Sequence, residues 1–150
     1  MTVSVRRAGE GDHAFLVAGN VALARESEGL ALDEAVVRRG VAACLADPAK
    51  GFYLVAEDDA GQRLGQLMVT TEWSDWRDGV FFWIQSVYVI GDARRRGVYA
   101  ALHNEVIRLS EAAGNVVGVR LYVHRDNVGA MATYRRMGMS ESHYALYEAG

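Results

Sequence analysis

Hydrophobic and polar positions along the chain follow two periods, one typical of strands and one typical of helices. Residues 117–123 alternate apolar and polar side chains, which predicts a strand. After residue 97, apolar side chains recur every three or four positions, which predicts an amphipathic helix. In chain order, we predict strands at residues 2–6, 52–56, 63–73, 80–89, 117–123 and 140–147, and helices at 12–25, 33–47, 97–113 and 127–138.

The order β-α-α-β-β-β-α-β-α-β predicts a mixed α/β fold, in which helices flank a single mixed sheet. A short turn joins the strands at 52–56 and 63–73, so these two should form an antiparallel hairpin. A helix joins the strands at 80–89 and 117–123, which predicts a parallel pair at the centre of the sheet. With 150 residues, 51% of them hydrophobic, the chain is predicted to form one domain at 1–150.

Net charge and cysteine content limit the classes of partner and site. The formal net charge of -3 argues against a binder of nucleic acid or of an anionic membrane surface. The single cysteine, Cys44, excludes an internal disulfide, and the four histidines lack metal-ligand spacing, so we expect no metal site.

Two further features of the chain bear on its location and assembly. It has no apolar run of about 18 residues, and its first ten residues lack the pattern of a signal peptide. We therefore expect a cytoplasmic protein without a membrane partner. The predicted strand near the C-terminus would be an edge strand, which would allow a homodimer.

Residues 9–14 match the G-x-G-x-x-G/A fingerprint of dinucleotide-binding loops. Glu10 and Asp12, however, put two carboxylates where a pyrophosphate would need amide donors. We therefore interpret this segment as a strand-to-helix turn rather than a nucleotide site.

Residues 92–100 form a second strand-to-helix loop, of opposite charge. Arg94, Arg95 and Arg96 lie directly before the predicted helix. The first amides of a helix have no internal partner, and the helix dipole adds partial positive charge there. This segment predicts an anion site, with a solvated basic run as the alternative.

Two motifs resemble those of the GNAT N-acetyltransferases, which transfer an acetyl group from acetyl-coenzyme A to an amine. The first follows the strand at 80–89 and reads Arg94-x-x-Gly97-x-Tyr99-Ala100. The family pattern is Arg/Gln-x-x-Gly-x-Gly/Ala, so Tyr99 stands where the pattern has a small residue. The second motif reads Asn127-x-x-Ala130-x-x-x-Tyr134-x-x-x-Gly138-Met139.

The resemblance implies a binding site for acetyl-coenzyme A. Backbone groups of the long strand would hold the pantetheine arm, and loop amides would hold the pyrophosphate. The spacing of Asn127 and Tyr134 independently puts them near one helical face. The implied cofactor-binding residues are Val87, Val89, Arg94, Arg95, Arg96, Gly97, Val98, Tyr99, Ala100, Asn127 and Tyr134.

The chemistry needs an acid for the leaving thiolate and a base for the amine. Tyr134 is the candidate acid, with a core tyrosine as the alternative. Spacing selects no base among the carboxylates at element ends, which are Glu26, Glu28, Glu72, Asp75 and Asp78. Glu26 is the candidate base, since it precedes a polar connection that could cover a cleft. The alternative for Glu26 is a solvated charge at a helix end.

Tryptophans interleaved with acidic residues suit a pocket for a cationic amine. The candidate substrate-binding residues are Glu26, Glu72, Trp73, Trp76 and Trp83. The alternative is that Trp73 and Trp83 only pack within their strands.

The resemblance thus implies an acetyl-CoA-dependent N-acetyltransferase that acts on a primary amine of a small molecule or an exposed amino group. Cys44 lies on the apolar face of its helix, which favours direct transfer in a ternary complex over an acetyl-cysteine intermediate. The alternative is a non-catalytic sensor of acetyl-coenzyme A. A nucleic-acid binder that uses the arginines conflicts with the net charge.

Overall fold

Five strands and four helices make up the fold in a computed structural model, which describes residues 2–150. Met1, the first residue of the predicted domain, lies outside them. The strands are β1 (Ser4–Arg7), β2 (Phe52–Glu57), β3 (Arg63–Ser74), β4 (Gly79–Val89) and β5 (Val116–Leu121). The helices are α1 (His13–Glu28), α2 (Glu34–Ala46), α3 (Val98–Ala113) and α4 (Val128–Arg136), with short 3-10 turns at Glu10–Asp12 and Gly91–Ala93.

The strands form one sheet in the order β1-β2-β3-β4-β5. Neighbouring strands are antiparallel, except that β4 and β5 are parallel. This confirms the predicted mixed α/β fold and its parallel pair. None of the helices among residues 2–150 is long and apolar enough to cross a membrane.

Strand alternation divides the core between the two faces of the sheet. Leu54, Leu67 and Phe82 point to one face, where α3 covers them with Leu102 and Val106. The opposite face packs against α1 and α2. Its buried residues are Leu16, Val17, Val41, Cys44, Tyr53 and Val55. Neighbouring residues of one strand therefore pack against different helices.

The strand predicted at residues 140–147 is wrong. Residues 139–150 have no regular secondary structure, and every side chain from residue 140 onward is exposed. Tyr144, Leu146 and Tyr147 are at least 63% exposed, so the segment gains no burial that would offset the cost of ordering a strand. The edge strand that suggested a homodimer is thus not formed, and a homodimer stays a prediction from the sequence.

Asp12 precedes α1, as predicted, but its carboxylate binds two arginines instead of capping the helix. Arg6 donates to both carboxylate oxygens at 2.8 Å, and the Arg63 Nε donates at 2.7 Å. The Gly9 amide adds a fourth bond at 2.8 Å. The bonds from Arg6, followed by those from Arg63 and Gly9, hold the pKa of the buried Asp12 far below its ordinary value. This cluster ties β1 and β3 to the start of α1.

A β-bulge interrupts β4 opposite β3. Gln66 pairs with Tyr88, whereas Met68 pairs with Gln85, so β4 holds one extra residue there. Ser86 lies within the bulge and has a left-handed φ of 52°, a conformation that is costly for a residue with a Cβ. Such bulges bend a strand and redirect its backbone groups.

A buried polar chain supports the bulge from the α1 side. Gln66 is fully buried, and its Nε2 donates to Asn20 Oδ1 at 2.8 Å and to the Ser86 carbonyl at 3.3 Å. Asn20 in turn donates to the Tyr53 hydroxyl at 3.2 Å. Gly19 leaves room for the Gln66 carboxamide, because a Cβ there would lie 2.7 Å from its carbon atom.

We expect Gly19→Ala to lower the free energy of unfolding by about 2 kcal/mol, because the new methyl group collides with the Gln66 carboxamide, which is buried and held by two hydrogen bonds. The matched control is Gly40→Ala in α2, where an added Cβ meets nothing within 4 Å. That variant should have a free energy of unfolding about 0.5–1 kcal/mol higher, because alanine has a higher helix propensity than glycine. Urea unfolding measures both, and equal effects would contradict the proposed contact.

We expect Asp12→Asn to lower the free energy of unfolding by about 2 kcal/mol at pH 7, since it removes a buried charge that two partly exposed arginines contact. The folded pKa of Asp12 is depressed, so its contribution is fully present above the unfolded value of about 4 and diminishes as the pH falls from there toward the folded pKa. Urea unfolding of both proteins at pH 7 and pH 3 should show a smaller difference at pH 3. A constant difference would exclude the carboxylate charge as its source.

Candidate functional site

A groove of about 420 Å³ runs between β4 and α4, with the end of α1 at its mouth. Side chains from both faces of the sheet line it, since Tyr88 and Glu26 lie on the α1 side and Tyr99 and Tyr134 on the α3 side. Its lining residues are Leu23, Glu26, Ser27, Val87, Tyr88, Val89, Arg94, Tyr99, Asn127, Ala130, Thr133 and Tyr134.

The groove exists because β4 and β5 separate. Their parallel pairing ends at Ile84 and Leu121, just before the bulge. Within residues 2–150, the β4 segment 85–89 has no partner strand on that edge. Its backbone groups can therefore bond an extended ligand as an added strand would.

The start of α3 offers a second set of free backbone donors at the same end of β4. Gly97 precedes α3 with a left-handed φ of 79°, and no side chain of the described residues caps the helix there. Arg95 and Arg96 are exposed, whereas the Val98 side chain is buried in the core and leaves only its amide for a ligand. Ala100 is half-buried. The free amides and the arginines suit a phosphate group.

Tyr99 stands where the motif has a small residue, and its ring turns toward the core. Its hydroxyl shares a hydrogen bond of 3.0 Å with Nδ1 of His103, which is buried. The ring meets Tyr134 edge to face, with centroids 5.5 Å apart. Burial raises the pKa of Tyr99, so the hydroxyl stays protonated. The aromatic ring therefore forms a wall of the groove next to Tyr134.

The second motif forms α4, which supplies the far wall of the groove. Asn127 caps this helix, because its Oδ1 accepts the Ala130 amide at 3.1 Å. Tyr134 lies two turns further along, and burial raises its pKa. A protonated phenol beside a ligand groove can act as a proton donor.

Glu26 lies in the last turn of α1, at the mouth of the groove. Its two oxygens accept hydrogen bonds from Arg94 Nη2 and from the Tyr88 hydroxyl, each at 2.7 Å. The bond from Arg94, followed by that from Tyr88, lowers the pKa of Glu26. The carboxylate is therefore ionised and already paired.

The predicted substrate-binding residues fall into separate groups. Trp83 donates to Glu72 Oε1 at 2.9 Å on the α1 and α2 side of the sheet. Trp73 follows Glu72 in β3, so its side chain points to the opposite face and is 64% exposed. Trp76 lies in the turn after β3 and is 89% exposed. Glu72 and Trp83 are thus brought together, whereas Trp73 and Trp76 do not join them.

The segments that form the groove also match a known protein family. The model of the Acetyltransferase (GNAT) family matches residues 21–139, which include the groove and both motifs. The chain belongs to the GNAT acetyltransferase family.

Two curated relatives of this GNAT chain are named mycothiol acetyltransferase. The protein from Mycolicibacterium gilvum (strain PYR-GCK) is 38% identical over 100 residues, which cover 61% of this chain. The protein from Mycolicibacterium vanbaalenii is 34% identical over 96 residues, which cover 59% of this chain. The matches span only 30% and 29% of those proteins' own lengths.

Solved structures agree with the GNAT fold over the whole chain. A possible acetyltransferase from Clostridium difficile 630 is 41% identical, has a TM-score of 0.93, and is matched over 100% of this chain and 98% of its own. A predicted acetyltransferase from Clostridium acetobutylicum, solved with acetyl-CoA, has a TM-score of 0.79 at 14% identity and is matched over 99% of this chain and 96% of its own. The second likeness concerns the fold alone.

Several residues of this GNAT groove were not among the sequence candidates. Tyr88 lies between Val87 and Val89, and strand alternation alone could have placed it on the opposite face. Thr133 precedes Tyr134 in α4. Arg120 lies outside the groove, where it stacks 3.5 Å above the Phe81 ring and donates to Glu72 at 3.4 Å, and only the register of β5 against β4 reveals this contact.

Proposed function

We propose that the chain is an acetyl-CoA-dependent N-acetyltransferase, which acetylates a primary amine of a small molecule or an exposed amino group. The observation that carries the proposal is the unpaired edge of β4, which leads from the arginine-flanked start of α3 to Tyr134. Such an edge fits the amides of a pantetheine arm, and the free helix amides fit a pyrophosphate.

Acetyl-coenzyme A, the co-substrate, supplies the acetyl group as a thioester. Val87 and Val89 would bond its pantetheine amides through their backbone groups. Amides from Arg95 to Ala100, with the side chains of Arg94, Arg95 and Arg96, would hold its phosphates. Asn127 and Tyr134 would contact its reactive end, since both line the groove on the α4 side.

The reaction needs two proton transfers, which the chain must assist. An amine with a lysine-like pKa costs about 4.6 kcal/mol to deprotonate at pH 7. Glu26 is the proposed base, and it could act only after release from Arg94. Tyr134 is the proposed acid, whose proton goes to the departing thiolate as the amide bond forms. Backbone amides of β4 would stabilise the negative charge that develops on the carbonyl oxygen.

The acceptor would approach from the α1 side, opposite to α3 and α4. On that side Glu26 and Glu72 are each paired with an arginine, so they would attract a cationic amine only where it replaces Arg94 or Arg120. Trp83 would supply an aromatic surface for the amine. Trp73 and Trp76 would take part only through a large acceptor that extends beyond the sheet, because both are strongly exposed.

Direct transfer in a ternary complex is the proposed route. Cys44 is the only cysteine in the chain, and it is buried between α2 and the sheet, away from the groove. Burial also raises the pKa of its thiol, which opposes formation of the nucleophilic thiolate. An acetyl-cysteine intermediate therefore has no suitable residue.

The proposed function is tested by thiol release from acetyl-coenzyme A over a panel of acceptors. The panel contains polyamines, amino acids, aminoglycosides, peptide N-termini and an amine related to mycothiol, which gives two relatives their name. We expect release with one amine class. Tight cofactor binding without release by any acceptor would instead favour a sensor.

Tyr134→Phe should lower kcat about 100-fold and leave the affinity for coenzyme A nearly unchanged, because only the leaving group loses its proton donor. Steady-state kinetics with the active acceptor and calorimetry with coenzyme A measure the two effects. Tyr147→Phe is the control, since Tyr147 is 92% exposed and lies outside the groove. An unchanged kcat in Tyr134→Phe would return Tyr134 to a packing role.

Replacing Arg94, Arg95 and Arg96 together by alanine should weaken coenzyme A binding about tenfold and make the remaining binding less dependent on salt. Calorimetric titrations at two salt concentrations measure both effects. The control replaces Arg38 and Arg39 of α2, which are also exposed but lie outside the groove. Equal losses in both variants would indicate a general effect of net charge.

A further inference from the structure

Glu26, Tyr88 and Arg94 form a hydrogen-bonded cluster, called here the mouth cluster, that joins three elements at one end of the groove. Glu26 belongs to α1, Tyr88 to β4, and Arg94 to the loop before α3. Besides its bond to Glu26, Arg94 donates from Nε to the Val89 carbonyl at 2.9 Å. Its guanidinium lies 5.5 Å from the Tyr88 ring centre. Every member lines the groove.

Within the mouth cluster, Arg94 is already bound by Glu26, although the proposed cofactor site depends on Arg94. Arg94 opens the phosphate-binding motif, yet its Nη2 is bound to a carboxylate of this same chain. Glu26 also places a negative charge where the phosphates of coenzyme A would arrive. The pair is weak enough to be exchanged, because the side chains of Glu26 and Arg94 are 46% and 48% exposed.

The same bonds restrain the proposed base. Both carboxylate oxygens of Glu26 are engaged, one by a cation and one by a phenol. A carboxylate held in this way is a poor acceptor for the proton of an incoming amine. Release of Arg94 would leave Glu26 bonded to Tyr88 alone, with one oxygen open toward the acceptor side.

We infer that Glu26 is a latch on Arg94, and that the pyrophosphate of coenzyme A opens this latch by taking Arg94 for itself. Binding of the cofactor then frees the Glu26 carboxylate at the mouth of the groove. The amine therefore meets a competent base only after the cofactor is in place, which orders the two binding steps. This inference rests on the proposed function, because it needs a phosphate ligand beside Arg94.

The test is calorimetric titration of Glu26→Gln with two probes, coenzyme A and pantetheine, which lacks phosphates. The variant keeps the size of the side chain and removes the charge that competes for Arg94. We expect coenzyme A to bind about fivefold more tightly than to the unmodified protein, with pantetheine affinity unchanged. Thermal unfolding of the variant checks that the fold is intact.

The matched control is Glu28→Gln, which removes the same charge from the same helical turn. Glu28 is exposed and makes no ion pair within residues 2–150. Glu28→Gln should therefore change the affinity for coenzyme A much less than Glu26→Gln does. In an Arg94→Ala background, Glu26→Gln should lose most of its effect, because the group that the two anions share is gone.

The outcomes separate the latch from the proposed function. Unchanged or weaker coenzyme A binding in Glu26→Gln, beside normal binding by the unmodified protein, overturns the latch alone. Equal gains for coenzyme A and pantetheine, or equal gains in Glu28→Gln, also overturn it. Failure of the unmodified protein to bind coenzyme A overturns the proposed function, and the latch with it.

Discussion

The ladder between β4 and β5 ends at Ile84, and the site follows from that interruption. One extra residue in β4 bends the strand and turns its backbone groups away from β5. In the middle of a sheet, unpaired amides and carbonyls are costly unless water or a ligand reaches them. The parted strands admit both, and they also connect the two faces of the sheet. Two reactants, one on each face, could therefore meet between the strands without a channel through the core.

Holding that interruption in place has its own energetic cost. Ser86 adopts a left-handed conformation, and Gln66 buries a carboxamide whose Oε1 has no hydrogen-bond partner among the described residues. Such features persist only where the surrounding structure determines them strongly. Here the support comes from Asn20 and Tyr53, which connect the bulge to α1 and to β2. The β4 wall of the groove is therefore built on the packed part of the molecule.

The sequence allowed the fold to be predicted wherever a side-chain pattern is local. Alternation in β5 and the period of α3 gave these elements, and the helix between β4 and β5 implied their parallel pairing. The strand expected at residues 140–147 failed because alternation does not reveal whether any backbone edge or apolar surface is available to pair with it. Likewise, only the register between β3 and β4 shows that Trp73 and Trp83 lie on opposite faces.

Side-chain partners distant in the chain were beyond the reach of the sequence. Glu26 and Arg94 are 68 positions apart, and both could be chosen as candidates but not as partners of each other. Their pairing depends on the exact residue at which α1 ends, since this helix continues three residues past its predicted end. The position of this helix end decides whether the Glu26 carboxylate lies over the groove or in solvent.

The weak anchoring of α4 has a consequence for the cooperativity of the fold. None of its residues is fully buried, and its aromatic contact with α3 runs through Tyr134 and Tyr99. Helices held by so little apolar contact open in local fluctuations that leave the rest of the molecule intact. The amides of α4 should therefore exchange with solvent by a low-energy local opening, while those of β2 and β3 exchange only when the whole domain unfolds. A ligand in the groove would join α4 to the cooperative unit of the sheet.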